Sequence, residues 1–152
     1  MIKTELKIKL AELFPSASFD ESGEWLQMHL AVDDFTAAAE ILCYNTELNF
    51  DYLFCLTCVD WKTHLTMVYH LESTQFHHQV VVKVQLDRNN PEIETVCHIW
   101  RTAEFHEREV YELFGVNFLN HPDLRLLILP DGWEGRNPLR KDFEDPVNMI
   151  KL

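Results

Sequence analysis

Only four glycines occur in the 152 residues, and none sits in the Gly-rich turn that cradles phosphate or a dinucleotide. Basic residues are also scarce: 13 Lys and Arg stand against 25 Asp and Glu, a formal charge of -12. A surface of that sign repels nucleic acid and anionic lipid headgroups at long range, which argues against both as partners. Long apolar runs are missing too, since no stretch approaches the ~20 residues that cross a bilayer. The opening MIKTELKIKLAELFP alternates charge with apolar residues where a secretory leader would carry an unbroken apolar core. The chain is therefore expected in the cytoplasm with its four cysteines as reduced thiols, and at a membrane only if another protein holds it there.

What remains is an ordinary globular composition, 47% hydrophobic and 25% charged, at the length of one domain. Ile2, Leu6, Leu10, Leu13 and Phe14 recur at helical spacing up to Pro15, which predicts a short amphipathic helix. Leu26, Met28, Leu30 and Val32 alternate with Trp25, Gln27, His29 and Ala31 as a half-buried strand would. Asp33 or Asp34 then offers a helix cap before an inner face of Phe35, Ala38, Ala39 and Leu42. Tyr52 to Val59 is almost unbroken in apolar character, which predicts a central strand buried on both faces. Leu65, Met67, Tyr69 and Leu71 alternate in the next strand. Val80, Val82, Val84 and Leu86 do so in a third, with Lys83 and Gln85 facing out.

At Asn90-Pro91 the period changes. Asn caps well, Pro suits a first helical position, and Ile93, Val96, Cys97 and Trp100 follow at helical spacing. Thr102 is placed to cap a further helix with an inner stripe of Ala103, His106, Val110, Leu113 and Phe114. Its outer side carries the i,i+4 pairs Glu104→Arg108 and Arg108→Glu112, and Gly115 supplies the left-handed residue that ends it. The expected architecture is α+β: a single domain over 1–115 with a small, largely antiparallel or mixed sheet packed by helices, followed by a long extended arm over 116–152.

The arm differs in kind. Pro122, Pro130, Pro138 and Pro146 preclude a long helix, while Phe118, Leu124, Leu126, Leu127, Ile128, Leu129, Trp133 and Phe143 make it too apolar for a disordered tail. Residues 1–115 hold 8 basic and 19 acidic side chains, but from Val116 onward the numbers are 5 and 6. Arginines beside aromatic anchors on a nearly neutral arm suggest a segment that becomes ordered on another surface. Deleting 120–152 is accordingly expected to leave the domain folded and to abolish assembly.

Several residues invite catalytic or metal readings. Cys55-Leu56-Thr57-Cys58 is a Cys-x-x-Cys, yet residues three apart on a strand point to opposite faces. Cys43 and Cys97 are isolated, so no second pair completes a zinc or iron–sulfur site; buried apolar thiols are the expectation. His77-His78 read as solvated histidines and His106 as a hydrogen-bonded core residue. Glu104, Glu107, Glu109 and Glu112 put four carboxylates on one helix, which could serve acid–base chemistry. Two blander readings stand beside that one: a solvated, ion-paired face, or an interface role for Glu107-Arg108-Glu109.

Three linked blocks carry a resemblance. Glu107-Arg108-Glu109-Val110-Tyr111-Glu112-Leu113-Phe114-Gly115-Val116-Asn117-Phe118, then His121-Pro122-Asp123-Leu124-Arg125, then Pro138-Leu139-Arg140-Lys141-Asp142-Phe143 resemble the signature of the C-subunit family of respiratory complex I, the 30-kDa-type subunit. The departures are Glu112 where Asp is usual, Leu126 where a second Arg is common, one extra residue at Arg136-Asn137, and Glu144 in place of Pro.

The resemblance implies a structural subunit in the peripheral arm of a proton-translocating NADH:quinone oxidoreductase, on the cytoplasmic face of the membrane. It implies no catalytic, cofactor or metal site in this chain. FMN, iron–sulfur clusters and quinone would belong to partner subunits. The implied neighbours are the D-type subunit, which holds the quinone site, and the B- and I-type iron–sulfur subunits. On that reading the arm wraps a partner, with Arg125, Arg140 and Lys141 pairing carboxylates, Trp133 and Phe143 as apolar anchors, and the Glu107–Glu109 helix bracing its start. The alternative within the resemblance is the equivalent subunit of a membrane-bound hydrogenase or ferredoxin-linked complex. Those often fuse this domain to a D-like chain, so a chain standing alone points to the respiratory form. A hydrolase using the clustered carboxylates and a redox module using Cys55 and Cys58 are the readings from other classes.

Overall fold

The computed structural model describes residues 1–148, so the last four residues of the expected arm lie outside the description. The elements run α1 (Lys3–Leu13), β1 (Ser18–Asp20), β2 (Leu26–Leu30), α2 (Val32–Tyr44), β3 (Tyr52–Asp60), β4 (His64–Glu72), β5 (Gln79–Asp87), β6 (Glu92–Glu94), α3 (Ala103–Phe114) and β7 (Asn117–Leu119). Five strands form a mixed sheet in the order β1-β2-β5-β4-β3; β6 and β7 form a separate pair. Only the β2–β5 pairing within the large sheet is parallel, aligning Met28 with Val82. The domain is thus the expected α+β architecture with a mixed sheet.

One face of the sheet carries the core. Leu26, Met28, Leu56, Leu65, Met67, Tyr69, Val82 and Val84 are buried together with Leu6 and Leu10 of α1 and Phe35, Ala38, Ala39 and Leu42 of α2. The Phe35 and Tyr69 rings meet at 4.6 Å between centroids. The other face presents Gln27, His29, Thr66, Lys83 and Gln85, and Lys83 Nζ donates to Gln27 Oε1 at 2.6 Å.

Four expectations are corrected. The strand at 26 ends at Leu30; Val32 opens α2 and Ala31 is its cap residue, with no side chain bonded to the free N–H groups. Asp33 and Asp34 lie in the first turn instead, where carboxylates complement the positive helix end. β3 is an edge strand, not a central one. Its apolar look on both faces has a local cause: Phe54, on the outer face, packs against Trp25 and His70 at 6.0 and 5.7 Å between ring centroids.

The helix expected after Pro91 is absent; Glu92–Glu94 is a strand that pairs in parallel with β7, Ile93 opposite Phe118. A non-local pairing has supplied the hydrogen bonds that local periodicity assigned to a helix. Finally, His78 is buried, not solvated: its Nε2 lies 2.7 Å from the Leu48 carbonyl, between the rings of Phe50 and Phe76.

Candidate functional site: buried charges that hold the C-terminal chain

The core continues past Gly115. Val116 and Phe118 are buried in it, and Leu124 packs against it. The turn that permits this is Gly115, at φ +77°. A Cβ there would meet the Asn137 side chain at 2.6–2.8 Å, so the glycine is required both for the left-handed conformation and for the close passage of the later chain.

Helix α3 lies between the two short strands and carries three buried ionisable side chains, Glu107, Arg108 and Glu112. The expectation of a solvated face of i,i+4 ion pairs fails here. Each of these groups is engaged with other parts of the chain. Arg108 donates from Nε to the Arg125 carbonyl at 3.1 Å and from Nη2 to the Leu126 carbonyl at 2.7 Å. Glu112 accepts from the N–H groups of Leu127 (2.8 Å), Ile128 (2.9 Å) and Leu129 (3.2 Å). The two side chains thus grip the carbonyl and amide groups of one continuous stretch, 125–129. Hydrogen bonds to charged groups stabilise by roughly 1.5–3 kcal/mol each, and burial makes them costly to lose.

Glu107 is the most enclosed of the three, with no exposed surface. Its Oε1 accepts from the Val96 N–H at 2.9 Å and its Oε2 from the Thr95 hydroxyl. Burial pushes its pKa up to about 7, against the lowering by Thr95 and Val96; Glu94 adds to the rise. His121 lies beside it. Its Nδ1 accepts from the Asp123 N–H at 3.0 Å, which assigns the proton to Nε2; that nitrogen faces the Glu104 carbonyl at 3.0 Å and Glu107 Oε2 at 3.6 Å.

A second knot lies where β3 ends. Asp60 is buried and accepts a two-pronged pair from Arg88, Nε to Oδ1 at 3.0 Å and Nη2 to Oδ2 at 2.9 Å. It also accepts from the N–H groups of Lys62 (2.8 Å) and Lys141 (2.9 Å). The Arg88 guanidinium and these amides hold its carboxyl well below the usual carboxylate range. Arg88 further pairs with Asp142 at 2.9 Å. Arg140, expected to reach a partner's carboxylate, is instead turned inward, donating to the Phe114 and Arg88 carbonyls at 2.6 and 3.3 Å. The neighbouring Leu139 N–H donates to the Leu113 carbonyl at 3.0 Å, which seats Pro138-Leu139 against the end of α3.

Other candidate residues are placed as follows. Glu109 is half-buried on α3. Pro122 is exposed, and Arg125 is 69% exposed and pairs with Asp123 at 2.9 Å. The Lys141 side chain is exposed. Trp133 and Phe143 are half-buried, their rings 6.4 Å apart, with Arg136 over the Trp133 ring at 4.6 Å. Cys55 faces outward opposite His70 while Cys58 points into the core opposite Met67; burial pushes the Cys58 thiol up to about 12. Among the described residues no group of three or more His, Cys, Asp or Glu is arranged to hold a metal ion, and no helix is long and apolar enough to cross a membrane.

Sequence reasoning missed Asp60, Arg88 and Thr95, and gave Glu112 to solvent. Glu107 did leave a signal: it lies four residues after Ala103 and three before Val110, squarely on the apolar stripe.

Fold and network together define a small α+β domain whose buried charges fix its own trailing chain. The family described as the respiratory-chain NADH dehydrogenase 30 Kd subunit matches residues 28–147. The chain belongs to that family. It is 42% identical over 115 residues to the fused C/D subunit of the NADH-quinone oxidoreductase of Phocaeicola vulgatus, covering 74% of this chain and 22% of that protein. It is 41% identical over 115 residues to the C subunit of the NADH-quinone oxidoreductase of Chloroherpeton thalassium, covering 74% and 48% respectively. It is 43% identical over 114 residues to the C subunit of the F(420)H(2) dehydrogenase of Methanosarcina mazei, covering 73% and 72%. The chain therefore spans about a fifth to a half of the length of the first two.

Among solved structures, a chain of the membrane-bound sulfane sulfur reductase, an archaeal respiratory membrane complex, superposes with a TM-score of 0.81 at 30% identity, over 93% of this chain and 85% of that one. A trypsin-resistant fragment of Nqo5 superposes with a TM-score of 0.68 at 26% identity, over 81% of this chain and all of the fragment. The fused C/D relative removes one expected distinction: fusion to a D region also occurs in proteins named NADH-quinone oxidoreductase, so standing alone does not separate respiratory from hydrogenase-type members.

Proposed function

We propose that this chain is a structural subunit of a membrane-associated quinone-reducing oxidoreductase, supporting the quinone-site subunit and its assembly. The observation that carries the reading is the use made of the buried charges. Glu107, Arg108, Glu112 and Asp60 are all bonded to the chain's own backbone or to a structural ion pair, and Glu107, the carboxylate with the pKa best suited to proton transfer, has no exposed surface. A general base must come within hydrogen-bond reach of its substrate, which speaks against a hydrolase. The cysteines, on opposite faces of β3, speak against a redox pair.

Membership of the 30 Kd subunit family supports the assembly, and the relative that joins C and D regions in one chain supports the D-type subunit as the neighbour. On this reading FMN, iron–sulfur clusters and quinone are held by partners, among them the B-, D- and I-type subunits, and this chain meets the cytoplasmic side of the membrane through them. A second reading has a specific observation in its favour: the superposition on the sulfane sulfur reductase chain has the higher TM-score of the two. There the scaffold would be the same and the electron acceptor sulfane sulfur in place of quinone.

Affinity purification of the tagged chain in mild detergent, with mass spectrometry of what accompanies it, tests both. Recovery with a quinone-site subunit, iron–sulfur subunits and NADH-oxidising activity is the expected outcome. Recovery of a complex that reduces sulfane sulfur and not quinone would establish the second reading, and recovery of the chain alone would refute the scaffold role.

A further inference from the structure

Glu107 and His121 are two buried titratable side chains that a scaffold role leaves without a task. Both are fully enclosed, and Nε2 of the imidazole lies 3.6 Å from Oε2 of the carboxyl. That separation is too long for a hydrogen bond, so the Nε2–H is given to the Glu104 carbonyl at 3.0 Å. At the other ring nitrogen, Nδ1 receives the Asp123 N–H at 3.0 Å. A neutral imidazole has one lone pair to offer, and the Asp123 amide occupies it. A second proton can enter the ring only where that amide now sits. The turn 121–123 thus stands between His121 and a positive charge.

Glu107 is equipped for either state. Its Oε1 accepts the Val96 N–H at 2.9 Å, and the Thr95 hydroxyl at Oε2 can donate to a carboxylate or accept from a carboxyl. Burial raises its pKa to about 7. Among the described residues, His121 is the basic group within ion-pair reach of it. The other titratable and charged groups around the pair are Tyr69 of β4, Glu94 of β6, Arg108 of α3 and Asp123 of the turn itself. Arg108 is committed to the carbonyls of Arg125 and Leu126.

We infer that the 121–123 turn is a proton switch: seated, it leaves the shared proton on the Glu107 carboxyl; displaced, it frees Nδ1 and His121 takes the proton, leaving a buried ion pair. The count balances. One proton leaves Glu107 and one arrives at Nδ1, exchanged through water that the displaced turn admits, while Nε2 keeps its proton and donates it to the new carboxylate. Such a charge-assisted bond is stronger than its neutral counterpart, so the displaced turn has a second defined arrangement to settle into. The turn runs directly into 125–129, the stretch held by Arg108 and Glu112. A pull on that stretch is thereby converted into separated charge inside the domain.

The test uses the full-length chain with isotope-labelled nitrogen. At about pH 6, below the raised Glu107 value, magnetic resonance is expected to find a proton on Nε2 alone. It should also find a scalar coupling between Nδ1 and the Asp123 amide nitrogen. Infrared spectra should contain a protonated-carboxyl band that Glu107→Gln removes. Asp123→Pro has no amide hydrogen to give; there Nδ1 should gain a proton and the Glu107 band should vanish at the same pH. Should that variant not fold, the unsubstituted chain in urea below its unfolding transition replaces it, and coupling and band should decline in proportion. A Glu107 band that persists once the amide bond is lost overturns the inference, as does a proton on Nδ1 in the resting chain. A turn with a merely structural role would lower stability in Asp123→Pro and leave the protonation of both side chains unchanged.

Discussion

The two halves of the molecule are held by opposite means. From α1 to β5 the fold rests on apolar burial: Leu10, Ala39, Leu65, Met67 and Val84 have no exposed surface, and the polar side of the sheet is turned outward. From β6 onward apolar burial is thinner. The chain from 116 to 148 contains a single three-residue strand and is fastened by ionised side chains gripping backbone atoms. Apolar packing is non-directional and tolerates substitution of similar volume. A carboxylate accepting three consecutive amides dictates the path of the backbone but fails if a single atom is missing. The first half is thus built for stability, and the second for a defined shape with little material.

Three experiments bear on that contrast. Deleting 120–152 removes the backbone partners of Arg108 and Glu112 and one donor to Asp60, the Lys141 amide. The sequence leads to the expectation that the domain stays folded; a loss of about 5 kcal/mol is expected with it, since hydrogen bonds to charged groups contribute roughly 1.5–3 kcal/mol each and water replaces part of them. Amide exchange should accelerate first in α3 while β4 and β5 stay protected; uniform acceleration would show that the halves are one cooperative unit. A smaller effect is expected for Glu112→Ala, about 2–4 kcal/mol in urea unfolding, because three amides lose one acceptor and part of that loss is recovered from water. Exchange at Leu127, Ile128 and Leu129 should rise with it, and unchanged exchange there would deny Glu112 its clamping role.

The smallest effect is in pH dependence, where two carboxylates act in opposite senses. Arg88 lowers the Asp60 pKa in the folded protein, so the contribution of Asp60 is complete above the unfolded carboxylate range near 3.9 and is lost on acidification below it. Burial raises Glu107 from 4.5 to about 7, so the folded state binds the extra proton between those values and stability falls as pH rises through that window. Urea melts at pH 5 and 7.5 should show this decline in the unsubstituted chain and a flatter profile in Glu107→Gln. An equal decline in both would assign the titration to another group.

The contrast also explains what could be read in advance. α1, α2, β4 and β5 bury side chains at the period of their own secondary structure, so alternation at Val80–Leu86 or the four-residue rhythm at Leu6–Leu10 sufficed. In the second half the deciding partners are distant. Glu112 reads as the end of an exposed i,i+4 pair because its acceptor role is filled by amides 15 to 17 residues away. Ile93 reads as helical because its spacing to Val96 and Trp100 is local, whereas its pairing with Phe118 is not. The signature blocks 107–118, 121–125 and 138–143 were legible as a family pattern before any of them had a physical role. The structure supplies one: they include Glu107, Arg108 and Glu112, the Arg125 carbonyl that Arg108 grips, and the Lys141 amide that meets Asp60.

The bond from the Lys141 amide to Asp60 spans 81 residues, and that separation has a consequence during synthesis. At roughly 5–20 residues per second, Asp60 emerges some ~4–16 s before the amide that completes its set of donors. Arg88 arrives earlier and can neutralise it, but the last donor comes 81 residues after Asp60. The apolar half is free to fold on the ribosome while the charged half waits, still hydrated. A chain cut short just before 141 would keep the grip of Arg108 and Glu112 on 125–129 and lack the Lys141 amide at Asp60 and the Asp142 carboxylate at Arg88. That makes the junction of β3 with the C-terminal chain the place where such a copy differs from a longer one.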